Sequence, residues 1–583
     1  MPVPAPLRLA VHTPAAEAVT TAVLSFALLF SGTSRLPIVN GDEARFAQAS
    51  REMLASGDPV VPTFGGRDRY DKPPLIYWLT AGSFSLLGTT PRAARVPSNV
   101  ATAASAALLA WWVRRRAGPG SGVLAGTLFT VTPVVLVQGR ACTADAVTVA
   151  LTLAAMLALE SIVRGDRRLR HAVVMWTATA FAVLAKGPVA PVILAATGLG
   201  WWLVGRRRRP WELFAATGLV IVGAVVGTPL VLIPLMVAAV WTALSDPLAR
   251  QRLRDLRWGL GAAIMAVVLL PWTAAAWTAT NGDYFRIAVG RHVVERGLSP
   301  LEGHAGFPGF YLATAILLCF PWVGALLTAV PDAWRRRHDE PTSRFLLAWL
   351  LGPVAVLEVL ATKLVHYPMA VYPAAVLLVT MWAWREHTRP PGFAAVTLHA
   401  LGGLLLASVP LAVAEVADLP GLRPAAVVAA AVLSVGVAMS TTRLRTHPRS
   451  ALAISGAATA LWMAVTLNVF VPSLGTELLG PRLIARAVEA RGPDDALVVY
   501  GLRDEEVLFH GPPDLGVCRT ADELVAWLTD HPSSVGLSRL DRLQAFLEAH
   551  PRWRLVIVDR VAGFDLGRGK AAEGVVFRLE TSP

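Results

Sequence analysis

Residues 19–32 read VTTAVLSFALLFSG, and residues 40–74 read NGDEARFAQASREMLASGDPVVPTFGGRDRYDKPP. An apolar segment is thus followed closely by a loop that is rich in charge, and this alternation recurs along the chain. Segments of about 20 mostly apolar residues match a hydrocarbon core of about 30 Å. Backbone groups inside that core must be satisfied within helices. The pattern predicts a polytopic α-helical membrane protein.

The composition supports this class. The chain has 583 residues, of which 54% are hydrophobic and 16% charged, and its mean hydropathy is +0.53. A soluble multidomain protein of this size is excluded by such values. The net charge of +13 comes from arginine clusters between apolar segments, as in cytoplasmic loops of membrane proteins. The charge therefore indicates topology, and we expect no nucleic-acid partner.

We expect 13 to 15 transmembrane helices, with the range left open by residues 211–244, where Gly and Pro interrupt the apolar sequence. The first apolar segment lacks a small-residue cleavage site, so we interpret it as a retained span. An odd number of spans puts the long loops, at about 35–95 and 280–307, on the same side as the tail. We expect a plasma (inner) membrane protein whose site and tail are extracytoplasmic.

The tail changes to a soluble composition. Short β-branched stretches, ALVVYG (496–501), RLVIVDRV (554–561) and VVFRLE (575–580), alternate with amphipathic helical patterns, which is typical of a small α/β domain. No glycine-rich phosphate loop opens its helices. We therefore expect a transmembrane domain at 1–472 and an extracytoplasmic accessory domain at 473–583. The three cysteines are scattered and form neither a disulfide framework nor a metal spacing.

The first long loop concentrates the chemistry. Asp42 and Glu43 begin a helical pattern with Arg45 close by, and Tyr70, Asp71 and Lys72 precede two prolines. Acidic residues also favour a helix N-terminus for structural reasons, so this alternative stays open from position alone. The two prolines fix the direction of the chain where an interfacial helix, LIYWLTAGSF, begins.

Three further positions lie at predicted outer helix ends. Asp145 follows RACTA, and its alternative interpretation is a helix cap beside Thr143. Lys186 and Lys363 each precede a proline closely, and both could be snorkelling anchors. However, only four of the 53 basic Lys and Arg residues are lysine. Since arginine would anchor equally well, retained lysines favour sites for a compact point charge.

The second long loop adds Arg296, His292 and His304. A histidine near carboxylates can bind metal, but this loop lacks a complete ligand set. Together, the predicted face carries carboxylates, cations and aromatic residues at one depth. Such a site suits attack of an oxygen on a sugar carbon while a lipid phosphate departs. A carboxylate can take the proton, and cations can stabilise the leaving phosphate.

The motifs carry a family resemblance. In chain order, DEARFAQ with REML, YDKPPLIYWL, AARVPS, RACTADA, AKGP, GHAGFPGFYL and TKLVHYP resemble the membrane glycosyltransferases of the protein O-mannosyltransferase superfamily. Within it, they are similar to the aminoarabinose lipid A transferases. The resemblance covers roughly residues 42–373, and the order of the motifs is more specific than any one of them.

The resemblance implies a C-type glycosyltransferase fold and an inverting transfer from a polyprenyl phosphate-linked sugar donor to a lipid, glycan or protein acceptor. It implies that Asp42 is the catalytic carboxylate, with Glu43 supporting it, and that Asp145 is a second catalytic acidic residue. We expect the donor phosphate to be bound by Arg45, Lys72, Lys363, Tyr367 and Arg296. Further site candidates are Tyr70, Lys186 and His304.

Some relatives bind a metal through a glutamate before the KPP lysine and a loop histidine. This chain has Asp71 at the first position, one methylene shorter, with His292 as the candidate partner. We therefore expect no required cofactor, and leave a divalent metal ion as an open alternative. Besides the donor and acceptor, we expect contacts with membrane lipids.

A transporter or flippase of lipid-linked sugars is the alternative function. Such proteins place ionisable residues near the membrane midplane and show repeated halves with broken helices. Here the informative charges lie in loops of one face, and no internal repeat is evident. The sequence therefore favours the glycosyltransferase.

Overall fold

The computed structural model describes residues 13–38, 41–205, 237, 247–290, 295, 306–386, 389–565 and 569–581. Most of them are helical, and a sheet domain follows at the C-terminal end. The predicted fold class is confirmed. The region 211–244, which left the number of spans open, lies almost wholly outside the described residues.

The helices of the first half are α1 (Pro14–Phe30), α2 (Gly41–Ser56), α3 (Leu75–Leu87), α4 (Pro91–Ala117), α5 (Ser121–Thr130), α6 (Pro133–Arg140), α7 (Ala144–Val163), α8 (Leu169–Lys186), α9 (Val189–Val204), α10 (Pro247–Asp255), α11 (Trp258–Ala279) and α12 (Asp283–Val289). Then follow α13 (Phe310–Leu318), α14 (Val323–Arg336), α15 (Pro341–Val359), a 3₁₀ turn (Tyr367–Val371), α16 (Tyr372–Trp384), α17 (Phe393–Val416), a second 3₁₀ turn (Pro420–Leu422), α18 (Arg423–Arg443), α19 (Pro448–Val465), a π-helical turn (Thr466–Phe470) and α20 (Val471–Gly475).

Eight helical segments in the described residues are long and apolar enough to cross a membrane. The pair α5 and α6, bent by 70°, would make a ninth, and α1, α3 and α9 are shorter apolar helices. Several apolar side chains on these helices point outward, including Val19, Leu86 and Phe393. Such faces suit contact with lipid. The total of 13 to 15 spans stays a prediction.

Local sequence explains the helix ends. The α4 helix begins at Pro91 because Pro suits a first helical position, and the Thr90 hydroxyl accepts a hydrogen bond from the backbone N–H of Ala93 at 3.1 Å. Its last turn carries Arg114, Arg115 and Arg116, cations that a helix C-terminus favours.

The C-terminal domain contains helices α21 (Leu479–Ala490), α22 (Asp504–Val507), α23 (Ala521–Asp530) and α24 (Leu540–Ala549). Its sheet is formed by β3 (Ala496–Tyr500), β4 (Gly516–Cys518), β5 (Ser534–Arg539), β6 (Trp553–Asp565) and β7 (Lys570–Thr581), in the order β4-β3-β5-β7-β6. The strands β4, β3 and β5 are parallel, and β7 pairs antiparallel with β5 and β6. The predicted α/β domain is present; its boundary at 472/473 stays a prediction.

The first long loop is a folded segment. After α2, the strands β1 (Thr63–Phe64) and β2 (Arg67–Asp68) form a hairpin. Its turn, Gly65–Gly66, has positive φ at both residues, at 60° and 71°, as a two-residue hairpin turn requires. The Glu52 carboxylate holds the hairpin by accepting hydrogen bonds from Thr63 Oγ1 at 2.7 Å and the Gly65 N–H at 2.8 Å. The chain then enters α3, as the proline pair predicts.

Candidate active site

Asp145 is the centre of a cluster formed by separate loops. It lies in the first turn of α7, and its carboxylate accepts a hydrogen bond from Lys186 Nζ, at the end of α8. The Nε2 atom of His366 lies 3.9 Å from Asp145 Oδ1, and Lys72 also acts on this carboxylate electrostatically. The structure therefore brings one of the three predicted loop lysines, Lys186, into contact with this carboxylate, and Lys72 acts on it without a direct contact.

The loop before α16 contributes an aromatic wall to this cluster. The Lys186 ammonium lies 5.9 Å from the centroid of the Tyr367 ring, within the range of a cation–π contact. The rings of His366 and Tyr367 meet edge to face, with centroids 5.3 Å apart. Tyr367, predicted at the donor phosphate, is thus beside Lys186 and Asp145.

The second long loop holds Lys72 in place. The Tyr284 hydroxyl on α12 donates a hydrogen bond to the carbonyl oxygen of Lys72 at 2.6 Å. Tyr284 packs edge to face against Tyr70, with ring centroids 5.4 Å apart. The Tyr70 hydroxyl donates to Asp68 at 2.6 Å, and this hydrogen bond, with burial, raises the pKa of Tyr70 to about 12. Tyr70 therefore acts as a neutral packing and hydrogen-bonding residue at neutral pH.

Asp42 lies at the open end of α2. Its side chain is 63% exposed, and its Oδ1 lies 3.7 Å from Nη1 of Arg45. The carboxylate also acts electrostatically on Arg69. Since most of the side chain is accessible, an incoming ligand can reach the carboxylate.

Arg45 has a second partner in the C-terminal domain. Its Nε donates to Glu505 Oε1 at 2.8 Å, and Glu505 belongs to α22. The predicted phosphate ligand Arg45 thus bridges Asp42 and the C-terminal domain.

Glu43 is buried and cannot be reached in the same way. Its carboxylate accepts hydrogen bonds from Nε and Nη2 of Arg95 at 2.8 and 2.9 Å, and from the backbone N–H of Cys142 at 3.0 Å. Arg95 is 1% exposed and also donates to the Thr33 and Leu36 carbonyls. Glu43 therefore ties α2 to α4 and to the segment before α7, which positions its neighbour Asp42.

Asp71, the candidate metal ligand, is engaged by a cation. Its carboxylate lies 2.9 Å from Nη1 of Arg69, and Arg69 Nε donates to the Tyr77 hydroxyl at 3.1 Å. The described part of the chain contains no group of three or more His, Cys, Asp and Glu side chains that could hold a metal ion. The other candidate ligand, His292, lies outside it, so a metal-bound state has no support here.

Lys363 is directed inward. Its side chain is 4% exposed, and its Nζ donates to the carbonyl oxygens of Glu358 and Leu360 at 2.6 and 2.8 Å. It thereby satisfies carbonyl groups at the end of α15. The carboxylate of Glu358 accepts from the backbone N–H groups of Gly309 and Tyr311 at the start of α13. Lys363 is thus not shown beside Asp145, and its phosphate role stays a prediction.

Like His292, the predicted residues Arg296 and His304 lie outside the described residues. The structure adds four residues that the sequence analysis did not place in the site: Arg69, Tyr284, His366 and Glu505. His366 belongs to the motif TKLVHYP, and Arg69 directly precedes the motif YDKPPLIYWL, so the sequence offered a signal for both. Tyr284 lies 212 positions from its partner Lys72, and Glu505 lies 460 positions from its partner Arg45. No local pattern indicates such contacts.

Comparisons with known proteins agree with the motif resemblance. Residues 71–233 match the model of the family described as dolichyl-phosphate-mannose-protein mannosyltransferase. A protein of Pectobacterium atrosepticum named undecaprenyl phosphate-alpha-4-amino-4-deoxy-L-arabinose arabinosyl transferase is 27% identical over 62% of this chain and 58% of its own length. A protein of the same name from Pseudomonas paraeruginosa is 30% identical over 58% of this chain and 54% of its own length.

The fold has a solved counterpart. The crystal structure of ArnT from Cupriavidus metallidurans bound to undecaprenyl phosphate superposes on 96% of this chain and 97% of ArnT, with a TM-score of 0.69 and 20% identity. The chain therefore has the fold of a C-type membrane glycosyltransferase, and the predicted resemblance is confirmed. The sequence matches span less than two thirds of the two curated relatives.

Proposed function

We propose that this protein is an inverting membrane glycosyltransferase. It transfers a sugar from a polyprenyl phosphate-linked donor to a lipid, glycan or protein acceptor. Two similar proteins carry undecaprenyl phosphate in their names, which supports this donor class. None of the relatives reported above is named as a transporter, so the transporter alternative gains no support.

The observation that carries the proposal is the cluster at Asp145. Lys186 donates a hydrogen bond to this carboxylate, and His366 lies 3.9 Å from it. Lys72, from a third segment of the chain, acts on it electrostatically. Ionisable groups within membrane segments cost free energy, and where they occur they mark functional sites. Two lysines that act on one carboxylate suit a phosphate, because each is a strongly hydrated point charge.

The reaction can be written with these groups. An acceptor oxygen attacks the anomeric carbon of the donor, and the bond from that carbon to the lipid phosphate oxygen breaks. The electron pair of this bond stays on the phosphate, where Lys72 and Lys186 stabilise the charge. One such preorganised contact contributes about 3 to 4 kcal/mol to the transition state.

Asp42 takes the proton of an acceptor hydroxyl, which contributes roughly 10²- to 10⁴-fold in rate. If the acceptor group is itself a phosphate, no proton needs to be removed, and Asp42 then orients the acceptor. Glu43 is a positioning residue in this scheme, since it holds α2 through Arg95. The scheme needs no metal ion, and the metal site at Asp71 and His292 stays a prediction.

We also propose a location for the site. Arginine clusters at Arg114–Arg116 and Arg335–Arg337 indicate the cytoplasmic ends of their helices. The cluster at Asp145 and the C-terminal domain then face the extracytoplasmic side of the plasma (inner) membrane. A polyprenyl phosphate donor presented on that side can reach both.

The test compares membranes of cells that produce the wild-type chain, Asp42→Asn or Lys72→Ala, at equal protein levels. Mass spectrometry follows the lipid-linked sugars and the envelope lipids, glycans and proteins. We expect a sugar-modified product with the wild type and a loss of at least about 100-fold with either variant, as for removal of a catalytic proton acceptor or charge contact.

Matched controls lie in the same loop. Asp58 is exposed and only caps its own turn, through a 2.7 Å hydrogen bond from the Val60 N–H. Arg67 is exposed and pairs with Glu523 at 3.5 Å. Asp58→Asn and Arg67→Ala should retain transfer within about twofold, as surface changes do. Near-normal transfer by Asp42→Asn and Lys72→Ala would refute the proposed function.

A further inference from the structure

The C-terminal domain contains a cavity of about 400 Å³. It lies at the carboxyl ends of the three parallel strands β4, β3 and β5. Tyr500 and Arg539, the last residues of β3 and β5, line it, and Arg519 follows directly after β4. Open α/β sheets bind their ligands at this edge. Four arginines line the cavity: Arg503, Arg519, Arg539 and Arg542.

The positive charge of the cavity is only partly balanced. Arg519 Nε donates to Asp504 at 2.9 Å, and Arg539 Nε donates to Asp541 at 3.0 Å. Among the side chains that the structure describes, no ion pair joins Arg503 or Arg542 to a carboxylate. Both are exposed, so they are available to a ligand. Two unbalanced guanidinium groups match the charge of a phosphate monoester, which carries about −1.5 to −2 at neutral pH.

The geometry of the edge also favours phosphate. Arginine binds phosphate with two parallel hydrogen bonds. The ten-residue helix α24 begins at Leu540, directly after Arg539, and has no side-chain hydrogen bond at its cap. Its partial positive charge adds to that of the arginines.

The cavity has room for more than a phosphate. Small-molecule sites begin at roughly 300 Å³. Tyr500, which is half-buried, is one of the lining residues, and an aromatic side chain suits the apolar face of a sugar ring. Gly501 has φ of +71°, and a Cβ there would lie 2.7 Å from the Cβ of Arg542. The glycine therefore lets Arg542 stand close to the end of β3.

The cavity borders the loop that carries the candidate catalytic carboxylate. A Cβ at Gly65, in the hairpin of the first loop, would lie 3.0 Å from Nη2 of Arg519. Asp504, the partner of Arg519, is followed by Glu505, which binds Arg45 beside Asp42. A molecule held in the cavity thus lies next to the hairpin that follows α2, the helix whose first turn contains Asp42.

We infer that this cavity binds a sugar phosphate. That the cavity holds a phosphorylated carbohydrate acceptor during transfer rests on the proposed function, whereas the binding of a sugar phosphate does not. The site is formed by the C-terminal domain and is separate from the Asp145 cluster assigned above to the donor phosphate.

The test is isothermal titration calorimetry of the full-length chain in lipid nanodiscs, with glucose 6-phosphate, glucose and inorganic phosphate as separate probes. We expect glucose 6-phosphate to bind at least about tenfold more tightly than either of the others, since it alone offers both recognised parts. Equal affinity for inorganic phosphate would overturn the sugar part, and absence of glucose 6-phosphate binding would overturn the inference altogether.

The variants locate the site. Arg503→Gln combined with Arg542→Gln should weaken glucose 6-phosphate at least about tenfold, because two charge-assisted contacts are lost. Arg542→Lys keeps the charge but loses the planar fork, so we expect an intermediate loss. Arg554→Gln removes an exposed charge of the same domain, on edge strand β6, and should change the affinity less than twofold.

Two further points make the result decisive. Melting temperatures of the variants show that they are folded, and unchanged binding by the folded double variant would refute the site. The calorimetry of glucose 6-phosphate uses no sugar donor, so it does not depend on the transfer reaction. A failure of the proposed transfer reaction can therefore be distinguished from a failure of this binding site.

Discussion

Asp145 and Lys186 illustrate how two residues on different helices form one ion pair. The carboxylate at the start of α7 and the ammonium at the end of α8 are joined by a hydrogen bond, and both side chains are 15% exposed. A charge at this depth is costly when it has no partner. The pair can therefore hold Lys186 in position for a phosphate.

This pair gives a prediction at the residue scale. Asp145→Asn and Lys186→Met should each lower the transfer rate at least about 100-fold, since each removes a preorganised charge. The double variant should fall no further than the worse single variant, because residues that act as a unit are not additive. Initial rates of sugar transfer in membranes of the single and double variants measure these losses.

A control pair is available in the second long loop. Asp283 and Arg286 form an exposed ion pair at 3.1 Å. Asp283→Asn should leave the rate within about twofold, as for surface ion pairs in general. If the losses from Asp145→Asn and Lys186→Met multiplied in the double variant, the two residues would not form one unit.

At the scale of the elements, α9 and α15 approach each other through glycine. A Cβ at Gly352 would lie 2.1 Å from the carbonyl oxygen of Ala196, and a Cβ at Gly200 would lie 2.7 Å from that of Ala348. Small residues permit such close helix packing in membranes, where no hydrophobic effect drives association. This crossing helps to fix α15, whose end leads into the loop with His366.

Gly352→Ala should therefore destabilise the protein by about 1 to 3 kcal/mol, since an added methyl group overpacks the crossing. Gly198 on the same α9 helix has open space around its Cβ position. Gly198→Ala should be neutral or stabilising by about 0.5 to 1 kcal/mol, because alanine is the better helix former. Denaturation of both variants in detergent tests this, and equal effects would contradict the packing argument.

At the scale of the molecule, the C-terminal domain is docked on the first loop by several contacts. Arg45 binds Glu505, and His510 contacts the Ile38 carbonyl through Nε2 at 2.8 Å. Burial lowers the pKa of His510, and the nearby charge of Arg95 acts in the same direction, while Glu43 and the Ile38 carbonyl oppose it. The docked state therefore favours neutral His510.

This shift predicts a pH dependence. The unfolded chain takes up a proton at a histidine pKa near 6.5, whereas docked His510 does so only at lower pH. Stability from this residue is thus present above about pH 6.5 and is lost as the pH falls toward the folded pKa. The melting temperature should decrease between pH 7.5 and 5.5, and the decrease should be smaller in His510→Gln.

His531 serves as the control, since it is an exposed histidine of the same domain. His531→Gln should retain the wild-type pH profile. Equal profiles for wild type and His510→Gln would show that docking does not depend on the protonation of His510.

The sequence by itself determined the membrane class, the charged first loop, the C-terminal α/β domain and the motifs around Asp42, Lys72, Asp145 and Lys186. These features follow from apolar segment length, arginine clusters and turn residues, all of which are local. In the tail, the β-branched pattern predicts β3, β6 and β7. It does not indicate β4 (Gly516–Cys518) or β5 (Ser534–Arg539), because both lie close to glycine and polar residues.

Only the tertiary structure decided what each charged group does. It buried Glu43 against Arg95, paired Arg45 with Glu505 and turned Lys363 toward carbonyl groups of its own loop. The role of an ionisable side chain depends on its burial and on its partner. Partners such as Arg45 and Glu505 stand 460 positions apart, so no periodicity or motif could indicate that they meet.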